Sequence, residues 1–364
     1  MQQKYQKKIS TSSRRCRGAR MILSNFLHGR LGTDWSSELI KLNNLIPDKR
    51  LNVFIGTWNM NARKPVVDLS DFILPKNIQN RADILIIGTQ ETYFCSTNKW
   101  EYIVQNTLGP DFNFVMKESL GTLQLVLFMR CELSKFISFI KSETLLNNRY
   151  KILKTKGAIA IAIIIFGTSF LFITTHLTPH TKNIDKRFME IEKLVKWINC
   201  MNRLLNRKKN DDDISDFDNV FLFGDLNFRI DESRNDVIKW IEKTHFGRKI
   251  PVAVKEDQLN CLLNSKTHLH SFNEAPITFP PTYKYDPKSQ VIDSSNKLRI
   301  PSYTDRILYK SRNQSKGTDN DNEIYSHQCI KCLAYDSARS ICLSDHKPVY
   351  GMFAVEVRGI IYTK

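Results

Sequence analysis

Six apolar stretches of this chain end in side chains able to handle a metal ion, a water molecule or a proton. VFIGTWNMN closes on Asn59 and Asn61, ILIIGTQE on Gln90 and Glu91, and FLFITTHL carries His176. VFLFGDLN carries Asp225 and Asn227, IPSYTDRIL offers Asp305 and Arg306, and LSDHKPVYG offers Asp345 and His346. Singly, each has an ordinary explanation, since Asn, Asp and Gly are turn residues and a lone His is usually structural. Together they suggest a common rim, because strands of one sheet finish side by side. Asn59, Glu91, Asp225, Asn227 and Asp345 are hard oxygen donors of the kind Mg²⁺ takes, and soft ligands for zinc are too few. His346, with an Asp near to fix its tautomer, suits general acid or base work or contact with a phosphoryl oxygen. A metal, an oriented water and a His–Asp pair describe hydrolysis at phosphorus.

The elements that would carry this rim are legible. Strand-like runs occur at 51–60, 82–91, 123–130, 158–176, 219–228, 304–310 and 347–357, with helical spacing at 35–46, 185–205 and 235–243. GAIAIAIIIFGTSFLFI (157–173) has the length of a membrane span, but β-branched and aromatic residues fill both halves and Gly167-Thr168 marks a turn. Two buried strands are therefore predicted. Long apolar strands with helices between some of them predict an α/β or α+β sandwich, two packed sheets under outer helix layers.

The charge is uneven. Lys and Arg number 54 against 37 Asp and Glu, a net +17, and residues 1–30 hold eight basic side chains and no acid. Residues 1–34 therefore read as a basic, unfolded arm attracted to something anionic or serving only as a solubilising tail, before a catalytic domain at 35–364. Scattered cysteines point to a reducing, cytoplasmic setting, and the isolated Cys329/Cys332 pair reads as chance thiols in a late loop. No secretory signal is visible, although an Arg-rich, acid-free start is also what a mitochondrial presequence looks like.

GTWNMN, GTQE, THLT, GDLNFRI, PTYKYD, RIPSYTDRILY and SDHKPVYG, in that order, resemble the inositol polyphosphate 5-phosphatases, a branch of the endonuclease/exonuclease/phosphatase superfamily. The likeness runs from about residue 50 to 358. It implies a DNase I-like four-layer sandwich of mainly antiparallel sheets. It also implies Mg²⁺-dependent removal of the 5-phosphate from phosphoinositides, chiefly PtdIns(4,5)P2 and PtdIns(3,4,5)P3. By the same resemblance Glu91 is the principal metal ligand, with Asn59 and Asp345 in support. Asp225 and Asn227 handle the attacking water, His346 held by Asp305 contacts the scissile phosphate, and His176 binds it too. Tyr283, Lys284, Lys297 and Arg299 would grip the neighbouring 4-phosphate, and Lys156 the phosphate at position 1. A monomer bound peripherally to an anionic membrane, without nucleic acid, is the expected working form. The chain ends IIYTK with no CaaX cysteine, so attachment is expected to rest electrostatically on the arm rather than on a lipid anchor, and ciliary targeting does not follow from the resemblance. Two alternatives stay open: a DNase-like or abasic-site nuclease on the same fold, and an inactive phosphoinositide-binding module.

Overall fold

The computed structural model describes residues 44–64, 68–93, 97–146, 156–205, 216–244, 256–265, 269–312 and 329–357. The basic arm and most of the expected 35–46 helix lie outside them. Twelve strands are described: β1 (Arg50–Asn59), β2 (Ile84–Gln90), β3 (Phe112–Leu120), β4 (Leu123–Arg130), β5 (Ile137–Leu146), β6 (Gly157–Ile165), β7 (Thr168–His176), β8 (Asn219–Asp225), β9 (Asn273–Glu274), β10 (Asp305–Ser311), β11 (Ile330–Ser337) and β12 (Val349–Glu356). They form two six-stranded sheets, ordered β11-β12-β1-β2-β4-β3 and β5-β6-β7-β8-β10-β9. Each sheet holds one parallel pair, β1 with β2 and β7 with β8, and is otherwise antiparallel.

Burial on both faces explains the unbroken apolar runs. Alternate residues of the central strands meet between the sheets, Val53, Ile55, Ile86 and Leu127 from one and Ile161, Phe172, Phe221 and Phe223 from the other. The opposite face of the first sheet presents Phe54, Trp58, Leu85 and Phe128 to Phe72, Trp100 and Val104 of the helices Ser70–Ile73 and Thr97–Leu108. That of the second presents Ala160, Leu171, Ile173 and Leu222 to Ile191, Leu194 and Ile198 of the helix Ile184–Met201. The result is the four-layer sandwich the sequence predicts.

The 157–173 run is β6 and most of β7, paired antiparallel from Gly157↔His176 to Ile165↔Thr168. The turn falls on Phe166 and Gly167, both at positive φ (49° and 70°), one residue earlier than expected, and Thr168 already belongs to β7. No described helix is long and apolar enough to cross a membrane. Cys332 lies on β11 rather than in a loop, where burial pushes its thiol up to about 12.

Candidate active site

Both parallel pairs point their C-terminal ends to one rim. In the first sheet Asn59 sits opposite Gln90, with Glu91 the next residue. In the second, His176 sits opposite Asp225, and Asp225 opposite Asp305 on β10. Asn59 Nδ2 donates to Asp225 Oδ2 at 2.9 Å and so ties the two sheets together at the rim. Gln90 ties them one step deeper, donating to Thr57 and Thr174 hydroxyls at 3.2 Å each. It is a buried strut rather than a reacting group.

Close approach of the chains requires glycine at two points. A Cβ on Gly224, whose φ is 143°, would lie 2.0 Å from the Thr175 carbonyl oxygen, so only glycine lets β8 lie against β7 just before Asp225. A Cβ on Gly88 would lie 2.3 Å from Thr174 Oγ1 across the sheet interface. Past the strand ends the backbone turns sharply, with Glu91 at φ 50° and Asn227 at φ 56°. Asn tolerates that region; Glu seldom adopts it, and such strain gathers where a side chain must be aimed.

Around Asp225 the side chains converge. His176 Nε2 lies 3.2 Å from Asp225 Oδ2 and 3.8 Å from Glu91 Oε1, and Lys156 Nζ also reaches Nε2. Asp225 Oδ1 accepts the Asn227 backbone N–H at 3.1 Å, while Arg229 donates to Asn227 Oδ1 at 2.5 Å. Burial would raise the Asp225 carboxyl, but the hydrogen bond from His176 and the charges of His176, His346 and Lys156 hold it far below the usual carboxylate range. Lys156 is pushed down by burial, against the opposing pull of Asp225 and Glu91.

A second cluster adjoins it. His346 Nδ1 meets Asp305 Oδ2 at 2.9 Å, and the same oxygen accepts the hydroxyls of Thr282 at 2.8 Å and Thr304 at 2.9 Å. Burial lowers the His346 pKa, but Asp305 by charge and hydrogen bond, with Asp225 and Asp345, raises it to about 9. The ring is therefore an imidazolium at neutral pH with Nδ1 fixed. Ser344 Oγ donates to the Asn59 carbonyl at 2.7 Å and Trp58 Nε1 to the His346 carbonyl at 3.3 Å, which fastens this segment to β1.

The substrate-reading candidates border the same cluster. The Tyr283 ring lies 4.5 Å from that of His346, and Lys284 Nζ lies 3.8 Å from Asp345 Oδ2. One oxygen of the Asp345 carboxylate thus lies within ion-pair range of Lys284. Arg299 lines a recess with Tyr283, Arg229 and His180, and Lys297 is exposed beside it. Thr282, Thr304 and Arg229 belong to the site although none was singled out from the sequence.

Asp225, Asp305 and His346 offer ligand atoms close enough together to hold a metal ion. Asp305 Oδ2 already takes three hydrogen bonds, however, so this trio reads better as a fixed proton-handling group. Glu91 fits a hard cation better. Its carboxylate, a hard oxygen donor, is 42% exposed at the mouth, with His176 Nε2 3.8 Å away.

Two packed sheets with polar side chains along one rim fit the family model that this chain matches. The chain belongs to the endonuclease/exonuclease/phosphatase family 2, whose family model matches residues 56–352. Its curated relatives include the Mus musculus phosphatidylinositol polyphosphate 5-phosphatase type IV, 34% identical over 324 residues, 87% of this chain and 48% of that protein. The Homo sapiens phosphatidylinositol 3,4,5-trisphosphate 5-phosphatase 2 is 28% identical over 86% of this chain and 25% of that protein. The chain thus spans about half the length of the type IV relative. Among solved structures, the inositol polyphosphate 5-phosphatase domain of SPsynaptojanin, in complex with inositol (1,4)-bisphosphate and calcium ion, superposes with TM-score 0.68 at 27% identity, covering 88% of this chain and 89% of that one. A Cimex nitrophorin shares the fold at TM-score 0.65 and 21% identity, covering 85% of this chain and 100% of that one. The resemblance read from the motifs is borne out, and the nitrophorin likeness leaves function to the site rather than the fold.

Proposed function

We propose that this chain is a Mg²⁺-dependent phosphoinositide 5-phosphatase acting on PtdIns(4,5)P2 and PtdIns(3,4,5)P3. One observation carries the reading: Tyr283 and Lys284 touch the His346–Asp305–Asp345 cluster. An ammonium beside the reacting centre, next to a tyrosine, suits a ring that bears phosphates on adjacent carbons, the second of which it would hold.

In the reaction the imidazolium of His346, oriented by Asp305, binds an oxygen of the scissile phosphate and stabilises the charge that builds there. His176 and Lys156 supply a second cationic contact beside Asp225. Asp225 and Asn227 orient the attacking water in line with the leaving inositol oxygen. The depressed carboxyl of Asp225 suits it to accept that hydrogen bond rather than to act as a strong base. A divalent cation, held by Glu91 with Asn59 and Asp345, supplies Lewis-acid polarisation of the phosphoryl group when bound. Tyr283, Lys284, Lys297 and Arg299 hold the phosphate on the neighbouring carbon, which fixes which phosphate faces His346. Because the lipid lies in a bilayer, the enzyme works peripherally at an anionic surface.

Phosphate release tests this on a panel of phosphoinositide lipids, soluble inositol phosphates and duplex DNA, each with Mg²⁺ and with EDTA. Release from 5-phosphorylated inositols alone, lost in EDTA and restored by Mg²⁺, is expected. Cleavage of DNA, or full activity in EDTA, contradicts the reading.

A further inference from the structure

The turn leaving β7 carries charge that the reaction above does not use. His180 is exposed, at φ 76° and ψ 140°, and its carbonyl accepts from Arg187 Nη1 at 2.7 Å. Arg187 is itself buried and donates to Gln258 Oε1 at 2.6 Å, so the turn is pinned from within. Thr181 and Lys182 follow in a single 3₁₀ turn, Thr181–Asn183. With Arg299 these three residues line an open cleft of ≈ 460 Å³. A narrow recess shares its wall, bounded by His180, Thr181, Arg229, Tyr283, Arg299 and Ile300.

Cations face His180 from every side: Arg299 and Lys297 from the segment before β10, Arg229 from the segment after β8, and Lys182 from its own turn. Among the described residues none of these four is in an ion pair with a carboxylate. Asp293, the nearby acid, accepts the backbone N–H groups of Arg299 at 2.8 Å and Ser295 at 3.2 Å. A concave surface with this much uncompensated positive charge is built for an anion.

We propose that this cleft is a second phosphate subsite, in which Lys182 and His180, with Arg299 shared between it and the 4-phosphate, hold a non-scissile phosphate monoester one ring position beyond the phosphate beside Lys284. The inference rests on the phosphoinositide reading of the site and deepens it. Of the residues assigned to the 4-phosphate, Lys284 lies against Asp345 within the reacting cluster, while Arg299 also opens into the cleft. Tyr283 borders both, with its ring 4.5 Å from His346 and 4.4 Å from the Arg229 guanidinium. A ring phosphorylated at positions 5, 4 and 3 would meet His346, Lys284 and the cleft in turn. The cleft therefore discriminates a substrate with a 3-phosphate from one without it.

Affinity in the cleft depends on pH. Partial burial and the charges of Arg299, Arg229, Lys182 and Lys297 push the His180 pKa down, so the ring is neutral at pH 7 when the cleft is empty. A phosphate dianion reverses that field and returns the proton, so binding strengthens as pH falls and weakens as pH rises through the pKa of the occupied state.

Soluble headgroups decide the matter, with KM read from turnover and Kd from calorimetry, using inositol 1,4,5-trisphosphate and inositol 1,3,4,5-tetrakisphosphate. In His180→Gln and in Lys182→Ala, KM and Kd for the tetrakisphosphate should rise about tenfold, and those for the trisphosphate by less than about twofold. The wild-type preference for the tetrakisphosphate should fall between about pH 6 and about pH 8 more steeply than that of His180→Gln, in which only the phosphate titrates. Equal losses on both headgroups, or an unchanged pH response in His180→Gln, would overturn the subsite. So would discrimination seen only on vesicles, which would make the occupant a neighbouring lipid's phosphate. If wild type releases no phosphate, the functional reading fails, and the calorimetric comparison still decides the cleft.

Discussion

At the scale of single residues, the site depends on how few contacts hold each charge. Asp305 is fully buried and its Oδ2 is shared by His346, Thr282 and Thr304. Asp305→Asn removes the negative charge that keeps His346 cationic and offers an N–H where a ring N–H also points. A loss of about 10²- to 10⁴-fold in kcat on every substrate is expected, with the fold retained by circular dichroism. Near-normal turnover would show that His346 needs no fixed partner. Lys284→Ala should behave differently, lowering kcat/KM by about ten- to a hundredfold on PtdIns(4,5)P2 and far less on a 3,5-bisphosphate lipid. An equal loss on both, in a variant that melts normally, would remove Lys284 from 4-phosphate recognition. The carboxylates and histidines of this site were legible because TDR, SDH and GDLN are unusual at the ends of apolar runs. Thr282, Thr304 and Arg229 were not, although they lie within PTYKYD, RIPSYTDRILY and GDLNFRI. A hydroxyl that turns toward a carboxylate has no signature of its own, and the stacking of Arg229 on Tyr283 joins segments more than fifty residues apart.

At the scale of elements, the strands buried on both faces announced themselves, β4 at its exact bounds and β1, β2, β8, β10 and β12 within a few residues. The missed strands β3, β5, β9 and β11 are the four edge strands of the two sheets, where mixed exposed and half-buried positions leave no continuous apolar run. Sequence pattern finds what is buried twice and loses what is buried once. The helices 70–73 and 258–264 were missed because each spans too few turns to show a period, and the longer helix Thr97–Leu108 was missed as well, its apolar residues interrupted by polar ones. The element on which the site most depends is the β7–β8 pair, and Gly224→Ala tests it directly. The added methyl meets the Thr175 backbone, which cannot swing aside, at a φ that side chains rarely adopt. A loss of at least about 2 kcal/mol in stability is expected, seen as a lower Tm. Activity per folded molecule should fall as well, since Asp225 is the next residue. Wild-type melting would show that the pair relaxes more easily than its geometry implies.

At the scale of the whole molecule, charge and fold divide the work. The +17 net charge belongs in good part to residues 1–30, outside the described residues, and the expectation for them is electrostatic. Deleting residues 1–30 should leave turnover of a soluble headgroup intact and weaken binding to anionic vesicles by about 1 kcal/mol for each basic residue that reaches the surface, more strongly at low salt. Unchanged vesicle binding would reduce the arm to a tail. The sandwich itself was foreseeable from strand and helix pattern, but its function was not, since a nitrophorin shares it. Activity rests on which side chains the two parallel pairs bring to the rim. The most direct measurement is therefore positional: incubate the full chain with PtdIns(4,5)P2 and Mg²⁺ and identify the lipid product by isomer. PtdIns4P as the single product, absent when His346→Ala replaces wild type, is what the geometry of His346 and Lys284 predicts. PtdIns5P, or release of the whole headgroup, would contradict it.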